Sequence, residues 1–107
     1  MKNHIPTGVL TGDQVQDVFA LAKKKAFALP AVNVIGNNSI NTVIETAAEL
    51  NSPVIIQFSN GGAQFNAGKG LSNEQQKAAI AGSVAGAKHV HEMAAAYGAR
   101  VKKIWVY

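Results

Sequence analysis

The chain has 107 residues, no cysteine, 48% hydrophobic and 15% charged residues, and a formal net charge of +4. This length supports one domain at most, and the lack of cysteine excludes disulfides and thiolate metal sites. No apolar run approaches the ~20 residues of a membrane span. The first residues contain no apolar signal-peptide segment, so the sequence predicts a cytoplasmic protein without a membrane partner.

The positive charge does not by itself predict nucleic-acid binding. Lysines and arginines are dispersed except at Lys23–Lys25 and Lys102–Lys103. A nucleic-acid interface usually adds aromatic side chains between its cations, and none accompany Lys23–Lys25, which suit the last turn of a helix. We therefore predict no nucleic-acid partner and favour an anionic small molecule.

The first predicted helix covers about residues 11–25. Thr11 and Gln14 have the spacing of a capping box. Apolar residues then recur at helical intervals, at Val15, Val18, Phe19 and Ala22. A three- and four-residue recurrence places these side chains on one helical face.

A strand, a helix and a second strand are predicted next. The run FALPAVNV at 27–34 is short and contains Pro30, so it predicts a strand that ends near Asn33. The Asn33 amide must bond either to a neighbouring strand or to a ligand. A helical stripe follows and ends before Pro53; it comprises Ile40, Val43, Ile44, Ala47 and Ala48. A strand-helix-strand unit of this kind joins parallel strands.

The segment PVIIQFSNGGAQFNAGKG at 53–70 carries the main functional signal. Val54–Ile56 lack polar alternation and predict a strand buried on both faces, with Ser59 and Asn60 at its end. The carboxyl edge of a parallel sheet is where ligands bind. Four glycines allow a loop backbone to turn its N–H groups toward an anion; they are Gly61, Gly62, Gly68 and Gly70. We predict a phosphate loop at Ser59–Gly62 with Lys69 nearby, and a glycine-rich turn without a ligand stays the alternative.

A long helix and a last strand complete the predicted elements. Ser72 and Gln75 again have capping-box spacing, and Gly98 suits the end of the helix. The predicted buried stripe comprises Ile80, Val84, Ala87, His91 and Ala94. His89 and His91 point roughly 200° apart on a helix and cannot chelate one metal, so we predict packing or surface roles, with His91 the more interior.

The final segment, 99–107, predicts a third strand with an internal conflict. Its apolar residues are interrupted by Lys102 and Lys103. A central parallel strand does not normally carry two adjacent lysines, because one of them must face the core.

Three segments closely resemble the N-terminal part of class II fructose-bisphosphate aldolase. They are TGDQVQDVFALAKKKAFALPAVNV, INTVIETAAELNSPVIIQFSNGGAQFNAGKG and GAKHVHEMAAAYG, between Gly8 and Gly98. The resemblance implies an α/β fold that forms the N-terminal part of a (β/α)8 TIM barrel: a lead-in helix and about two and a half strand-helix units with parallel strands. It also implies a zinc-dependent, homodimeric glycolytic enzyme that cleaves fructose 1,6-bisphosphate into glycerone phosphate and glyceraldehyde 3-phosphate.

The resemblance also assigns residues. It places Ser59 at the family's serine that contacts a substrate phosphate, and Asn33 at the asparagine near the substrate. The family's third strand ends in His-x-Asp-His, which supplies the proton-transfer aspartate and a zinc ligand, whereas this chain reads ARVKKIWVY. We therefore predict no catalytic residue and no metal ligand within this chain, and interpret 1–107 as a single partial domain with a divergent tail at 99–107.

Two hypotheses follow from the sequence. The first is an N-terminal part of a class II aldolase, truncated and altered at its end by a change of reading frame, and inactive alone. The second is a non-catalytic phosphate-binding half-domain that oligomerises or pairs with another chain, because a small parallel sheet leaves both edges open. Binding of nucleic acid through the lysines is the weakest reading.

Overall fold

The structure is a computed structural model that describes residues 5–106, with side chains through Ile104. The strands are β1 (Gly8–Val9), β2 (Ala31–Asn33), β3 (Val54–Ser59) and β4 (Arg100–Val106). The helices are α1 (Asp13–Lys25), α2 (Gly36–Glu49), α3 (Asn60–Ala67) and α4 (Lys77–Tyr97), with a 3-10 turn at Glu74–Gln76. In this part of the chain no helix is both long enough and apolar enough to cross a membrane.

The four strands form one parallel sheet in the order β1-β4-β3-β2. The parallel arrangement confirms the prediction from the strand-helix-strand unit. Strand β1 was not predicted, since its two residues show no periodic pattern. It is held beside β4 by backbone bonds from Gly8 N to Ala99 O (2.6 Å) and from Leu10 N to Val101 O (2.8 Å).

Helices α2 and α4 pack on one face of the sheet and form the main core. The predicted stripe on α2 is confirmed, because Ile40 and Ile44 are fully buried. The buried residues of this core are Val34, Ile40, Ile44, Ala47, Val54, Ile56, Phe58, Val90, Ala94, Ala99 and Val101. A second, smaller cluster joins Val15 and Val18 of α1 to Ile5 and Leu10.

Strand β3 is buried on one face rather than two. Val54, Ile56 and Phe58 are buried against the helices, whereas the alternate residues Ile55, Gln57 and Ser59 are partly exposed. The prediction of burial on both faces was therefore wrong. Helices cover only one side of the sheet at β3, so the opposite face is accessible. We call that face the open face.

The predicted first helix and first strand are both longer than the observed elements. Helix α1 begins at Asp13 after Gly12, and only half of the capping box forms: Gln14 Oε1 accepts from Thr11 N at 3.3 Å. Strand β2 is reduced to Ala31–Asn33, because it pairs only with the three residues of β3 from Ile55 to Gln57.

The predicted glycine loop is mostly a helix. Gly61 and Gly62 lie within α3, and of the four glycines only Gly68 has a positive φ, of +91°. Glycine weakens an isolated helix, but packing against a neighbouring helix can outweigh that cost. Helix α3 lies against α4 at a distance that small residues permit.

Helix α4 begins later than predicted and buries a different face. Instead of forming a capping box with Gln75, the Ser72 hydroxyl accepts from Glu74 N at 3.1 Å, and the helix starts at Lys77. The buried face consists of Ala78, Ala79, Gly82, Gly86, Val90 and Ala94. Ile80 and Val84, predicted to be buried, are 50% and 48% exposed, because close contact with α3 selects small side chains.

The two adjacent lysines are accommodated in β4 without burial of a charge. Lys103 pairs with Ile56 and so shares the helix-covered side, while Lys102 pairs with Ile55 on the opposite side. Both lysines are partly exposed. The conflict predicted for a central strand is relieved because only two residues of β1 cover the outer edge of β4.

Substitution of Gly82 by alanine is expected to destabilise the fold. A Cβ at this position would overlap the backbone carbonyl of Ala63 in α3, so the two helices would have to separate. Overpacking of this kind costs about 1–3 kcal/mol. Gly61→Ala is the matched control, since a Cβ there meets nothing within 4 Å and should stabilise the helix by up to about 1 kcal/mol. Urea unfolding measures both, and equal midpoints for the two variants would contradict this account of α3 and α4.

Candidate functional site

The candidate site lies at the carboxyl ends of β2 and β3. Asn33 is the last residue of β2 and pairs with Gln57, so Ser59 lies two residues further along the neighbouring strand. Neighbouring strands are about 4.8 Å apart and rise about 3.3 Å per residue, which sets the Cα atoms of Asn33 and Ser59 on the order of 8 Å apart. Both side chains project from the open face, where Asn33 is exposed and Ser59 half-buried.

Gln57 is a third polar residue on the open face, and the sequence analysis did not identify it. Its partner in the parallel register is Asn33 itself, so the two amide side chains are neighbours on the same face. The available signal was weak: Gln57 is the single polar residue inside the run VIIQF. Together Asn33, Gln57 and Ser59 form a polar row that ends at the edge of the sheet.

Ser59 joins the strand to the helix that follows. Its backbone is extended (φ −80°, ψ 163°), and its Oγ accepts a hydrogen bond from Gly62 N at 3.0 Å. Ser59 is therefore the N-cap of α3, which satisfies one of the free N–H groups of the first turn. The hydroxyl proton and a second lone pair remain available, beside the positive end of the helix dipole.

The two glycines after Ser59 have different roles. Gly62 is buried, and a Cβ there would lie 3.1 Å from both Ser59 Oγ and Val34 O, so the close approach of α3 to the residue that follows β2 leaves little room for a side chain. Gly61 is exposed and meets nothing within 4 Å. Of the predicted phosphate loop, Gly61 is therefore open to solvent, Gly62 serves packing, and Asn60 has a buried Oδ1 without a hydrogen-bond partner.

Lys69 lies in the connection after α3 and borders the same side of that helix as Gly61. Both residues line a pocket of about 370 Å³ with Gln64, Phe65, Gly68, Leu71, Asn73 and Ala78. Lys69 is exposed and follows the C-terminal end of α3, so its ammonium group adds positive charge to this pocket rather than to the first turn of the helix. The arrangement suits an anion rather than a cation.

The turn after Asn33 is fixed by a long-range contact that sequence reasoning missed. Gly36 has φ +75° and donates its N–H to Asn66 Oδ1 at 2.7 Å, which ties the start of α2 to α3. The Ser39 hydroxyl accepts from Ile35 N at 2.8 Å. These bonds hold the chain where it leaves β2, and no local pattern could have revealed a partner 30 residues away.

The two histidines of α4 differ in position, and His89 lines a pocket of about 440 Å³ with Gly36, Asn37 and Asn66, beside the turn that follows Asn33. His89 is half-buried with its Nε2 2.8 Å from Asn41 Oδ1 of α2, whereas His91 is exposed. The prediction that His91 is the more interior of the two was therefore wrong. Between residues 5 and 106, no three His, Asp or Glu side chains come together as a metal site. The described residues do not fit a zinc ion, and no step of a reaction is assigned to a metal held by them.

Comparison with known proteins gives consistent matches. Residues 13–106 match the family model described as fructose-bisphosphate aldolase class-II. The chain is 58% identical over 98 residues to a fructose-bisphosphate aldolase class 2 of Escherichia coli K12, and 58% identical over 97 residues to a fructose-bisphosphate aldolase of Edwardsiella ictaluri. Each match covers 91% of this chain and 27% of the relative.

A solved structure shows the same architecture. The crystal structure of fructose-bisphosphate aldolase from Campylobacter jejuni matches with a TM-score of 0.86 and 50% sequence identity, over 94% of this chain and 28% of that chain. The parallel sheet with its lead-in helix corresponds to the N-terminal part of the aldolase TIM barrel, as the sequence predicted. The chain spans about a quarter of the length of the curated relatives it matches, and it belongs to the class II fructose-bisphosphate aldolase family.

Proposed function

We propose that this chain is part of a class II fructose-bisphosphate aldolase. Its carboxyl sheet edge binds a phosphate group of the substrate. The observation that carries the proposal is the position of Ser59, which ends β3, caps α3 and shares the open face with Asn33. In a parallel barrel this is the edge at which substrates bind. Ser59 and the backbone of Asn60 and Gly61 contact a phosphate group, and Asn33 contacts the sugar.

The chemistry of the edge suits a phosphorylated ketose. A helix N-terminus offers backbone N–H donors to a phosphate oxygen, and the Ser59 hydroxyl adds a side-chain donor. Lys69 contributes charge without a fixed geometry, since it is exposed in the loop after α3. The amide of Asn33 can donate to and accept from a sugar hydroxyl at the same time.

Cleavage of fructose 1,6-bisphosphate requires more than this edge. The bond between C3 and C4 breaks when the C4 hydroxyl loses its proton and the remaining ketose carbons form an enediolate. In the generally zinc-dependent class II family a metal stabilises that charge as a Lewis acid. The described residues supply neither a metal site nor a carboxylate on the open face, so the chain contributes substrate binding and the remaining groups come from elsewhere in the barrel.

The alternative of a non-catalytic phosphate-binding half-domain rests on the same residues and gains no separate support. Both hypotheses require Ser59 and α3 to bind a phosphate. They differ in whether phosphate binding serves catalysis, and the family membership favours the catalytic hypothesis. The divergence of 99–107, the homodimer and the cytoplasmic location remain predictions from the sequence.

A chimaera tests the role of Ser59 in a complete barrel. Residues 8–98 of this chain replace the residues aligned with them in the E. coli relative, and cleavage of fructose 1,6-bisphosphate is followed. The chimaera should be active, and Ser59→Ala should lower its kcat/KM by about 10- to 100-fold, mainly through KM. This is the cost expected for removing a hydrogen bond to a charged group.

Ser52→Ala in the same chimaera is the matched control. The Ser52 hydroxyl makes one weak contact, 3.4 Å to Pro53 O, at the opposite end of β3. Its kcat/KM should stay within about twofold of the parent chimaera, as expected for a minor surface change. An active chimaera in which Ser59→Ala behaves like Ser52→Ala would disprove the proposed phosphate contact.

Capping and phosphate binding by Ser59 can be separated in the 107-residue chain. Ser59→Ala should lower the free energy of unfolding by about 1 kcal/mol, whereas Ser59→Gly should lower it by only a few tenths, because glycine is tolerated at an N-cap. Both variants should lose phosphate binding, measured by titration of the Gly62 amide resonance. Retained binding in Ser59→Gly would mean that the helix N-terminus alone holds the anion.

The 107-residue chain should not cleave fructose 1,6-bisphosphate at any zinc concentration. The groups that stabilise the enediolate and transfer the proton are missing from the described residues. A coupled assay for glyceraldehyde 3-phosphate measures this, with the E. coli relative as the positive control. Zinc-dependent product formation by the purified chain would overturn the division of roles proposed above.

A further inference from the structure

Asn66 links the end of α3 to the start of α2. It lies in the last turn of α3, and its Oδ1 accepts a hydrogen bond of 2.7 Å from Gly36 N. Helix α2 has no side-chain cap of its own, because its N-cap residue is Ile35. Asn66 therefore takes the place of a capping side chain from outside the helix, and it satisfies one of the N–H groups that a first turn leaves free.

The orientation of the Asn66 amide follows from this bond. A backbone N–H is a donor, so the side-chain atom that faces Gly36 must be the carbonyl oxygen. The Nδ2 group then lies beside Gly86 of α4, where an added Cβ would be 3.1 Å from it. This Nδ2 is buried and has no hydrogen-bond partner in the described part of the chain. Asn66 thus satisfies one backbone donor and leaves a donor of its own unsatisfied.

The unpartnered Nδ2 argues against stability as the reason for an asparagine at this position. Burial of an unsatisfied donor opposes folding, whereas an apolar side chain of similar shape avoids that cost. A pocket of about 440 Å³ borders Asn66 together with Phe65 and Gly86, so a leucine has room here. What asparagine provides and leucine does not is a fixed position for Gly36. Rules of local stability are most often broken in this way at functional sites.

The position of Gly36 matters because Asn33 precedes it by three positions. Asn33 is held from one side by the ladder to β3: it pairs with Gln57, and Val34 N donates to Gln57 O at 3.2 Å. Strand β2 has only three residues and lies at the edge of the sheet in the described part of the chain. Beyond Val34, the next backbone group within residues 5–106 that is bonded to a different element is Gly36 N, which donates to Asn66.

We propose that Asn66 is a positioning residue for Asn33, and that it acts by holding Gly36 at the start of α2. The inference rests on the proposed function, in which Asn33 contacts the sugar. That contact requires the Asn33 amide to be held close to its productive position, since a displacement of roughly 1 Å can lower a rate by about 100-fold. Asn66 itself does not touch the substrate in this arrangement, because it lies at the opposite end of α3 from Ser59.

The first test measures amide hydrogen exchange by NMR in the 107-residue chain. Asn66→Leu should speed exchange at Gly36 by at least about tenfold, whereas Asn66→Asp should keep it slow, because a carboxylate oxygen accepts the same N–H. Exchange at Val34, which is bonded to Gln57 O, should stay within about twofold in both variants. The urea midpoint of Asn66→Leu should match that of the unmodified chain, since leucine removes one hydrogen bond and one unsatisfied donor together.

The second test measures cleavage of fructose 1,6-bisphosphate by the chimaera described above. Asn66→Leu should lower kcat/KM by about tenfold, and Asn66→Asp should stay within about twofold of the parent. In the Asn33→Ala background, Asn66→Leu should cause less than about a twofold further loss, because effects that act through a shared residue do not add. In the Ser59→Ala background the tenfold loss should remain, since Ser59 is fixed by β3 and by its own bond to Gly62 N.

Asn38→Leu in the same chimaera is the matched control. Asn38 lies in the first turn of α2, close to Gly36 in the chain, and it is exposed. The substitution is the same change of side chain as Asn66→Leu. Its kcat/KM should stay within about twofold of the parent, as expected for a surface change that breaks no buried contact.

Four results would overturn the inference. They are unchanged exchange at Gly36 in Asn66→Leu, a large fall of its urea midpoint, an unchanged kcat/KM, and a loss of kcat/KM that persists in full in the Asn33→Ala background. None of them affects the proposed function, because Asn33→Ala and Ser59→Ala report on the two substrate contacts directly. If Asn33→Ala alone leaves kcat/KM unchanged, the proposed sugar contact fails, and the positioning role of Asn66 fails with it.

Discussion

The close contact between α3 and α4 is the constraint on which the candidate site depends. Gly82 leaves room for the backbone of Ala63, and Gly86 leaves room for the ring of Phe58 in β3. Without these two approaches, α3 could not lie directly behind the end of β3, and Ser59 could not act as its N-cap. Packing of small residues between α3, α4 and β3 thus sets the position of the first turn of α3 at the carboxyl end of β3. The geometry that is proposed to bind an anion is a consequence of helix packing, rather than of a flexible glycine loop.

One face of the sheet forms the apolar core, and the other face carries the candidate site residues. One face is covered by α2 and α4 and contains the apolar core, where no polar or charged side chain is fully buried in the described residues. The other face carries Asn33, Gln57 and Ser59 near its carboxyl edge. In a complete barrel this open face is the interior, where layers of side chains from successive strands meet. The alternating burial of β3 is therefore expected for a barrel strand when the strands across the barrel interior are not part of the described chain.

Sequence reasoning predicted the strand-end positions of the candidate site residues, but it missed the local structure around them. The position of Ser59 and Asn33 at strand ends followed from apolar runs and the topology of parallel sheets, and both are confirmed as positions. Their roles as substrate contacts remain proposed. The helical state of Gly61 and Gly62 was missed because glycine has a low helix propensity, and the tertiary contact that overrides it is 20 residues away at Gly82. The bond from Gly36 N to Asn66 Oδ1 was missed for the same reason.

The adjacent lysines of β4 connect the local sequence to the assembly of the barrel. A strand in the middle of a closed barrel is buried on both sides, and a lysine on the helix-covered side would be costly there. In this structure Lys103 is tolerated because the groove beside it is open to solvent. Closing that groove would bury the charge of Lys103 without a partner, because no carboxylate is among the residues that line it.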